Sequence, residues 1–262
     1  MRAVCVRACA NLVITLVEVS GLLLVIGLAW AFLASGQGST DRLLEFRSGV
    51  SPGTAVLSAA LIAFYQFVGF ETSANMAEEV RDVQRVYPLA PFGALLVAGV
   101  VYVGVAVAAS VVLDPATLAA STAQLLDVVR ATGYGVPPSL FGFIALVAVA
   151  NGALLTMIMS SRMAYGMAEQ GLLPTALRRV LPGRRMPWVA IVATTVAAML
   201  LAVTGTLAVL AETVVLLLLF VFISTNLAVL VLRRDLVAQR HFTTPTVVPV
   251  LAIASCLVLM TQ

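Results

Sequence analysis

The sequence predicts an all-α, polytopic transmembrane helical bundle of about seven spans, one of them discontinuous, and three observations carry the prediction. Apolar residues make up 61% of the 262 and charged residues only 10%, whereas a soluble domain carries roughly 45–50% apolar and about 25% charged residues. The apolar residues fall in runs separated by polar or Pro/Gly-rich punctuation, and about 20 such residues make a helix long enough to cross the hydrocarbon core. One run is interrupted near its middle by glycine, amide and acid. Lipid requires each segment to satisfy its own backbone hydrogen bonds, so runs that are apolar on every side are read as spanning helices.

The first run extends from Ala10 to Leu33. It is longer than a signal-peptide core of about 7–15 residues, so it is read as a span of the mature protein although Arg2 and Arg7 precede it. Glu18 lies within it, and an ionisable group at that depth is by default a functional residue. The second run, Ala55 to Ala77, contains AFYQFVGFETSANMAEEV from Ala63 to Val80. Gln66, Gly69, Glu71 and Asn75 do not suit a lipid-facing surface: a carboxylate in a span costs about 2.5–3.5 kcal/mol on insertion scales. Gly69 weakens the helix at that point. A Gly-interrupted apolar segment with an acid is the pattern of a broken transporter helix that binds solute at the midplane. The competing reading makes Glu71 and Gly69 packing residues and Phe64, Tyr65, Phe67 and Phe70 ordinary core.

The third run, Leu89 to Leu113, is followed by a polar loop from Asp114 to Pro138 in which Leu118, Leu125, Leu126 and Val129 fall near helical spacing. This loop is expected to form an amphipathic helix over the external mouth. The fourth run, Ser139 to Ser161, carries Asn151, Thr156 and Ser160, groups that commonly bond between helices or hold ions. Trp188 to Thr204 and Leu207 to Leu232 follow, with only Gly205 and Thr206 between them, which calls for a tight antiparallel hairpin; Val247 to Met260 ends the series as an incomplete span.

Every one of the 15 basic residues is Arg. With the N-terminus in the cytoplasm, twelve of them (2, 7, 81, 85, 162, 178, 179, 184, 185, 233, 234 and 240) fall on that side, against Arg42, Arg47 and Arg130 on the other. This is the bias that orients membrane proteins. Scattered arginines give no case for nucleic-acid binding. Cys5, Cys9 and Cys256 lack ligand spacing and His241 stands alone, so neither a metal site nor a cofactor is predicted.

The stretch from Ala63 to Ala90, AFYQFVGFETSANMAEEVRDVQRVYPLA, resembles the sixth helix and following loop of the amino acid permeases of the amino acid-polyamine-organocation superfamily, with Val83 and Asp82 departing from the loop pattern. Ser161 to Pro187, with Arg162, Met167, Ala168, Gly171, Leu173 and Pro174, is similar to the end of that family's eighth helix and its loop. The resemblance implies two inverted repeats of five helices, the chain running from the fifth helix into the eleventh as one transmembrane domain over 1–262, with the second repeat at about 51–235. It further implies secondary active transport of an amino acid or related amine, coupled to a proton or sodium ion, across the cytoplasmic membrane. Phe64, Tyr65, Phe67, Gly69 and Glu71 then bind substrate, Tyr65 at an aromatic gate, while Glu18, Glu71, Asn151 and Ser160 are candidates for the coupling ion. Glu18 falls where some proton-coupled members carry Lys. Since the family's first helix shares in the substrate site, these residues alone are not expected to transport.

Two other classes compete. A retinal light sensor needs a Lys for its Schiff base and this chain has none, which leaves a non-pigmented receptor or an inactive permease remnant. An enzyme would need a nucleophile and base or paired carboxylates in register, and no such arrangement is evident.

Overall fold

The computed structural model describes residues 2–45, 51–71, 73–74, 80, 83–181, 186–233 and 244–261. Asn75, Arg47, Arg81, Arg184, Arg185, Arg234, Arg240 and His241 lie outside them. Among the described residues the regular elements are all helical. The apolar helices are α1 (Arg2–Ala34), α2 (Pro52–Gln66), α3 (Val83–Val112), α6 (Pro138–Glu169), α7 (Trp188–Thr204), α8 (Leu207–Leu232) and α9 (Val247–Leu259). Short helices α4 (Pro115–Ala120) and α5 (Gln124–Ala131) occupy the connection after α3. Among the described residues four segments are long and apolar enough to cross a membrane: Leu12–Ala34, Leu89–Val112, Pro138–Glu169 and Leu207–Leu232; α2, α7 and α9 are shorter apolar helices. The chain is thus an all-α transmembrane bundle. Large apolar side chains are widely exposed, among them Trp30 at 72%, Leu207 at 81% and Val203 at 85%, an arrangement that water would not tolerate over so much area.

Contacts divide the chain into two compact units, one of residues 1–48 and 96–163, the other of residues 49–95 and 164–262. In the first unit α1 meets its neighbours through small residues. A Cβ on Gly21 would lie 2.6 Å from Ile144 Cγ2 of α6, and one on Gly104 of α3 would lie 2.9 Å from Ile26 Cδ1. Lipid tails give no hydrophobic drive for helices to associate, so close backbone approach supplies the packing energy. The buried cluster here is Val25, Ala29, Ala108, Val112, Val128, Val129 and Phe141.

The connection after α3 differs from the single amphipathic helix expected. Ser121 breaks it into α4 and α5 by accepting the Ala123 N–H at 3.1 Å and donating to Asp127 Oδ2 at 2.6 Å, a local side-chain alternative to helical bonding. The apolar face is as the spacing indicated: Leu118, Leu125 and Leu126 pack on the cluster, and Val128 and Val129 are buried in it. Asp114 caps α4, accepting from Thr117 N at 2.9 Å and Thr117 Oγ1 at 2.6 Å. These two bonds hold its carboxyl below the usual range. Arg42 ties the α1–α2 connection to the end of α3, donating to Val112 O at 3.0 Å and Val111 O at 3.3 Å, where a cation suits the negative end of the helix dipole.

In the second unit Val215 and Leu219 of α8 and Cys256 of α9 form the buried centre, with Leu61 and Phe64 of α2 against it. α8 therefore turns its buried side chains to α9 and α2, while α7 packs on a short 3-10 turn, Thr175–Arg178. Gly205 and Thr206 alone link α7 to α8. Gly205 is extended (φ −116°, ψ 152°), and Thr206 Oγ1 caps α8 by accepting from Val209 N. Arg233 closes the other end by donating to Thr246 Oγ1 at 2.7 Å and to Thr244.

Candidate functional site

Helix α2 starts with Ser51, whose side chain accepts from Thr54 N, followed by Pro52 in the first turn. This is a favourable N-terminus, because Pro lacks only an N–H that the helix would leave unbonded. The helix stops at Gln66, well short of Ala77 where its apolar run ends. The last turn tightens as Phe67 N–H donates to Phe64 O and Val68 N–H to Tyr65 O, both at 3.1 Å, bonds that close over three residues instead of four. Gly69 then takes φ +121°, a value that side chains resist and glycine accepts. The chain continues as a tight 3-10 turn through Phe70 and Glu71 and again at Ser73 and Ala74.

Contacts among the described residues hold this break. The Gly69 N–H donates to Glu71 Oε2 at 2.8 Å, so the carboxylate folds back onto the backbone at the interruption. Phe222 of α8 stands against both sides of the break, its ring centroid 5.8 Å from Phe64 in an edge-on arrangement and 5.9 Å from Phe70. Ser73 Oγ and Tyr87 Oη, 3.3 Å apart, connect the far side to the start of α3. Tyr65 is exposed, Phe67 and Glu71 are half-buried, and Phe64 is half-buried against Phe222. The negative end of the α2 dipole and the Glu71 charge coincide here, an electrostatic arrangement that attracts cations. Asn75 falls outside the described residues.

In the first unit, Asn151 Nδ2 of α6 donates to Glu18 Oε1 of α1 at 2.8 Å. The close approach of α1 to Ile144 at Gly21, less than one turn beyond Glu18, is what brings the short amide within reach. Both side chains are half-buried. Ser160 is exposed and stands nine residues further along α6, about 13 Å at the rise of a helix, so it does not join this pair. Thr156 Oγ1 is bonded to Gly152 O of its own helix at 2.9 Å.

Sequence reasoning missed Phe222. Its run, LLLLFVFISTN, reads as uniform apolar helix until Ser224, and only the position of α2 shows which aromatic ring meets the break. Asn226 was available as a signal, since its Nδ2 bonds Phe222 O at 2.8 Å, but an amide bonded within its own helix marks no site.

An interrupted apolar helix, a carboxylate at the interruption and a second carboxylate bonded between helices are features of a multi-pass membrane transporter. Residues 2–262 match the model of a family described as amino acid permease, and the chain belongs to that family, within the amino acid-polyamine-organocation superfamily. It is similar to the chloroplastic cationic amino acid transporter 9 of Arabidopsis thaliana, 31% identical over 128 residues, 49% of this chain and 22% of that one. It is also similar to the branched-chain amino acid permease BcaP of Bacillus subtilis, 30% identical over 210 residues, 78% of this chain and 45% of that one. The low-affinity putrescine importer PlaP of Escherichia coli is 28% identical over 95 residues, 36% of this chain and 21% of that one. In each case the chain covers less than half of the relative's length.

Proposed function

We propose that the chain serves secondary active transport of an amino acid or related amine across the cytoplasmic membrane, with its N-terminus in the cytoplasm and residues 1–262 acting as one transmembrane domain whose second repeat covers about 51–235. The observation that carries the reading is the break at Gly69 with the Glu71 carboxylate folded onto it. A substrate ammonium is drawn to this carboxylate and to the carbonyl end of α2, Tyr65 gates the approach, and Phe64 and Phe67 with the Gly69 backbone shape the apolar side. Relatives named for cationic and branched-chain amino acids and for putrescine share one group, an ammonium, which agrees with a site of this sign. Coupling to a proton or sodium ion is assigned to Glu18 with Asn151, with Glu71 and Ser160 as further candidates; the half-buried bond between Glu18 and Asn151 supports the first pair. The cytoplasmic N-terminus rests on the twelve-to-three distribution of arginines.

The test is a thermal-stability screen of the purified chain with leucine, arginine, putrescine and their N-acetylated forms. Compounds with a free ammonium should raise the melting temperature and acetylated ones should not. Glu71→Gln keeps an oxygen to accept the Gly69 N–H while removing the charge, so it should abolish the shift without unfolding the protein. Equal stabilisation by free and acetylated compounds, or a full shift in Glu71→Gln, would remove this site from the reading.

A further inference from the structure

We propose that the surface formed by Leu172, Arg178, Arg179, Leu181, Met186 and Trp188 is a docking site for the headgroups of anionic phospholipids, an interaction separate from whatever solute the protein carries. The backbone that presents it is held at both ends. Helix α6 is ended by Gly171 at φ +78°, with Leu172 N–H donating to Met167 O at 2.9 Å and Gly171 N–H to Ala168 O at 3.3 Å, the paired bonds that turn a chain sharply off a helix end. The 3-10 turn Thr175–Arg178 packs on α7. Leu181 N–H and Trp188 N–H then both donate to Met186 O, at 3.0 and 2.9 Å, which draws the two sides of the connection together.

The described residues of this connection present an unusual mixture to the outside. Leu172 is 70% exposed, and Leu181, Met186 and Trp188 are each 45% exposed; Arg178 and Arg179, two to three residues before Leu181 in the sequence, are exposed as well. The sequence has no Asp or Glu from Gln170 to Ala211, and Glu169, just before that stretch, accepts from Tyr165 Oη at 2.7 Å. Among the described residues the ion pair is Arg130 with Asp127, 3.5 Å apart in another part of the chain, and no described carboxylate lies within salt-bridge distance of Arg178 or Arg179.

A topological signal needs only charge; here exposed apolar side chains and a Trp accompany the charge at the ends of two apolar helices. That combination matches the headgroup layer, where Trp rings settle at the boundary, guanidinium groups pair with phosphate, and the surface potential of anionic lipid attracts basic segments. A lipid satisfies both halves of the surface, phosphate for the arginines and acyl chain for the apolar side chains.

The protein has two Trp, Trp30 and Trp188, which makes the test direct. In Trp30→Phe protein reconstituted into phosphatidylcholine, Trp188 fluorescence is titrated with a minor fraction of brominated phosphatidylglycerol or brominated phosphatidylcholine. The anionic quencher should be about two-fold or more the stronger, and about 0.5 M salt should reduce the difference. Arg178→Gln with Arg179→Gln should abolish the preference and the paired Lys substitutions should keep it; if the Gln variant does not reconstitute, the salt dependence of the protein with its arginines intact decides. Equal quenching by the two lipids, or a preference that survives in the Gln variant or in high salt, would overturn the proposal, and the solute screen is unaffected by either result.

Discussion

At Gly69 a backbone angle of +121° does what no side chain along α2 does: it points the chain out of the helix and leaves an N–H facing Glu71. The two residues act together, since the carboxylate that accepts the Gly69 N–H also places a negative charge at the end of the helix. Gly69→Ala has open space around its Cβ, so the cost is conformational, about 1–3 kcal/mol for a non-glycine residue held in such a region. The expected result is a lower melting temperature together with loss of the ammonium-dependent stabilisation. An alanine variant as stable and as responsive as the parent would mean that the break does not depend on glycine.

Between helices, the spacing of small residues decides which polar groups can meet. Gly21 lets α1 approach Ile144, and the Glu18–Asn151 bond lies less than a turn away. Gly21→Val would drive a branched side chain into Ile144 and is expected to cost about 1–3 kcal/mol, the usual range for overpacking. Gly27 on the same helix has nothing within 4 Å of its Cβ position, so Gly27→Ala should be neutral or stabilising by up to about 1 kcal/mol from helix propensity. Thermal denaturation of the two variants in the same detergent checks the contrast; equal effects would show that close approach at Gly21 contributes nothing. Phe222 works at the same scale, joining the two sides of the α2 break to α8 through ring contacts.

For the whole molecule, the relevant comparison is with longer relatives, the match covering 45% of the branched-chain permease. Transporter sites built on inverted repeats lie between the repeats, and alternating access moves one against the other. Proteoliposomes containing residues 1–262 alone are therefore expected to show no saturable amino acid uptake under a proton or sodium gradient, even where ammonium compounds stabilise the protein. Saturable, gradient-driven uptake would show that these residues build a complete pathway by themselves or as oligomers.

Much of this architecture was legible in the order of residues because lipid imposes a simple rule: a long apolar run must be a helix that bonds to itself. Trp188–Thr204 and Leu207–Leu232 fall where their runs begin and end, and the polar interruption at Gly69 marks the break in α2 for the same reason. The amphipathic spacing of Leu118, Leu125, Leu126 and Val129 likewise showed which face is covered, although Ser121 divides the element through a side-chain bond that periodicity does not register. Contacts between distant helices were not legible. That Asn151 reaches Glu18 across 133 positions, that Phe222 stands against the break, and that α8 packs on α9 and α2 were decided by tertiary structure. An apolar helix in lipid is equally content with many neighbours, so its partner is chosen by the fit of glycines, rings and amides on facing surfaces, and that fit exists only once the chain is folded.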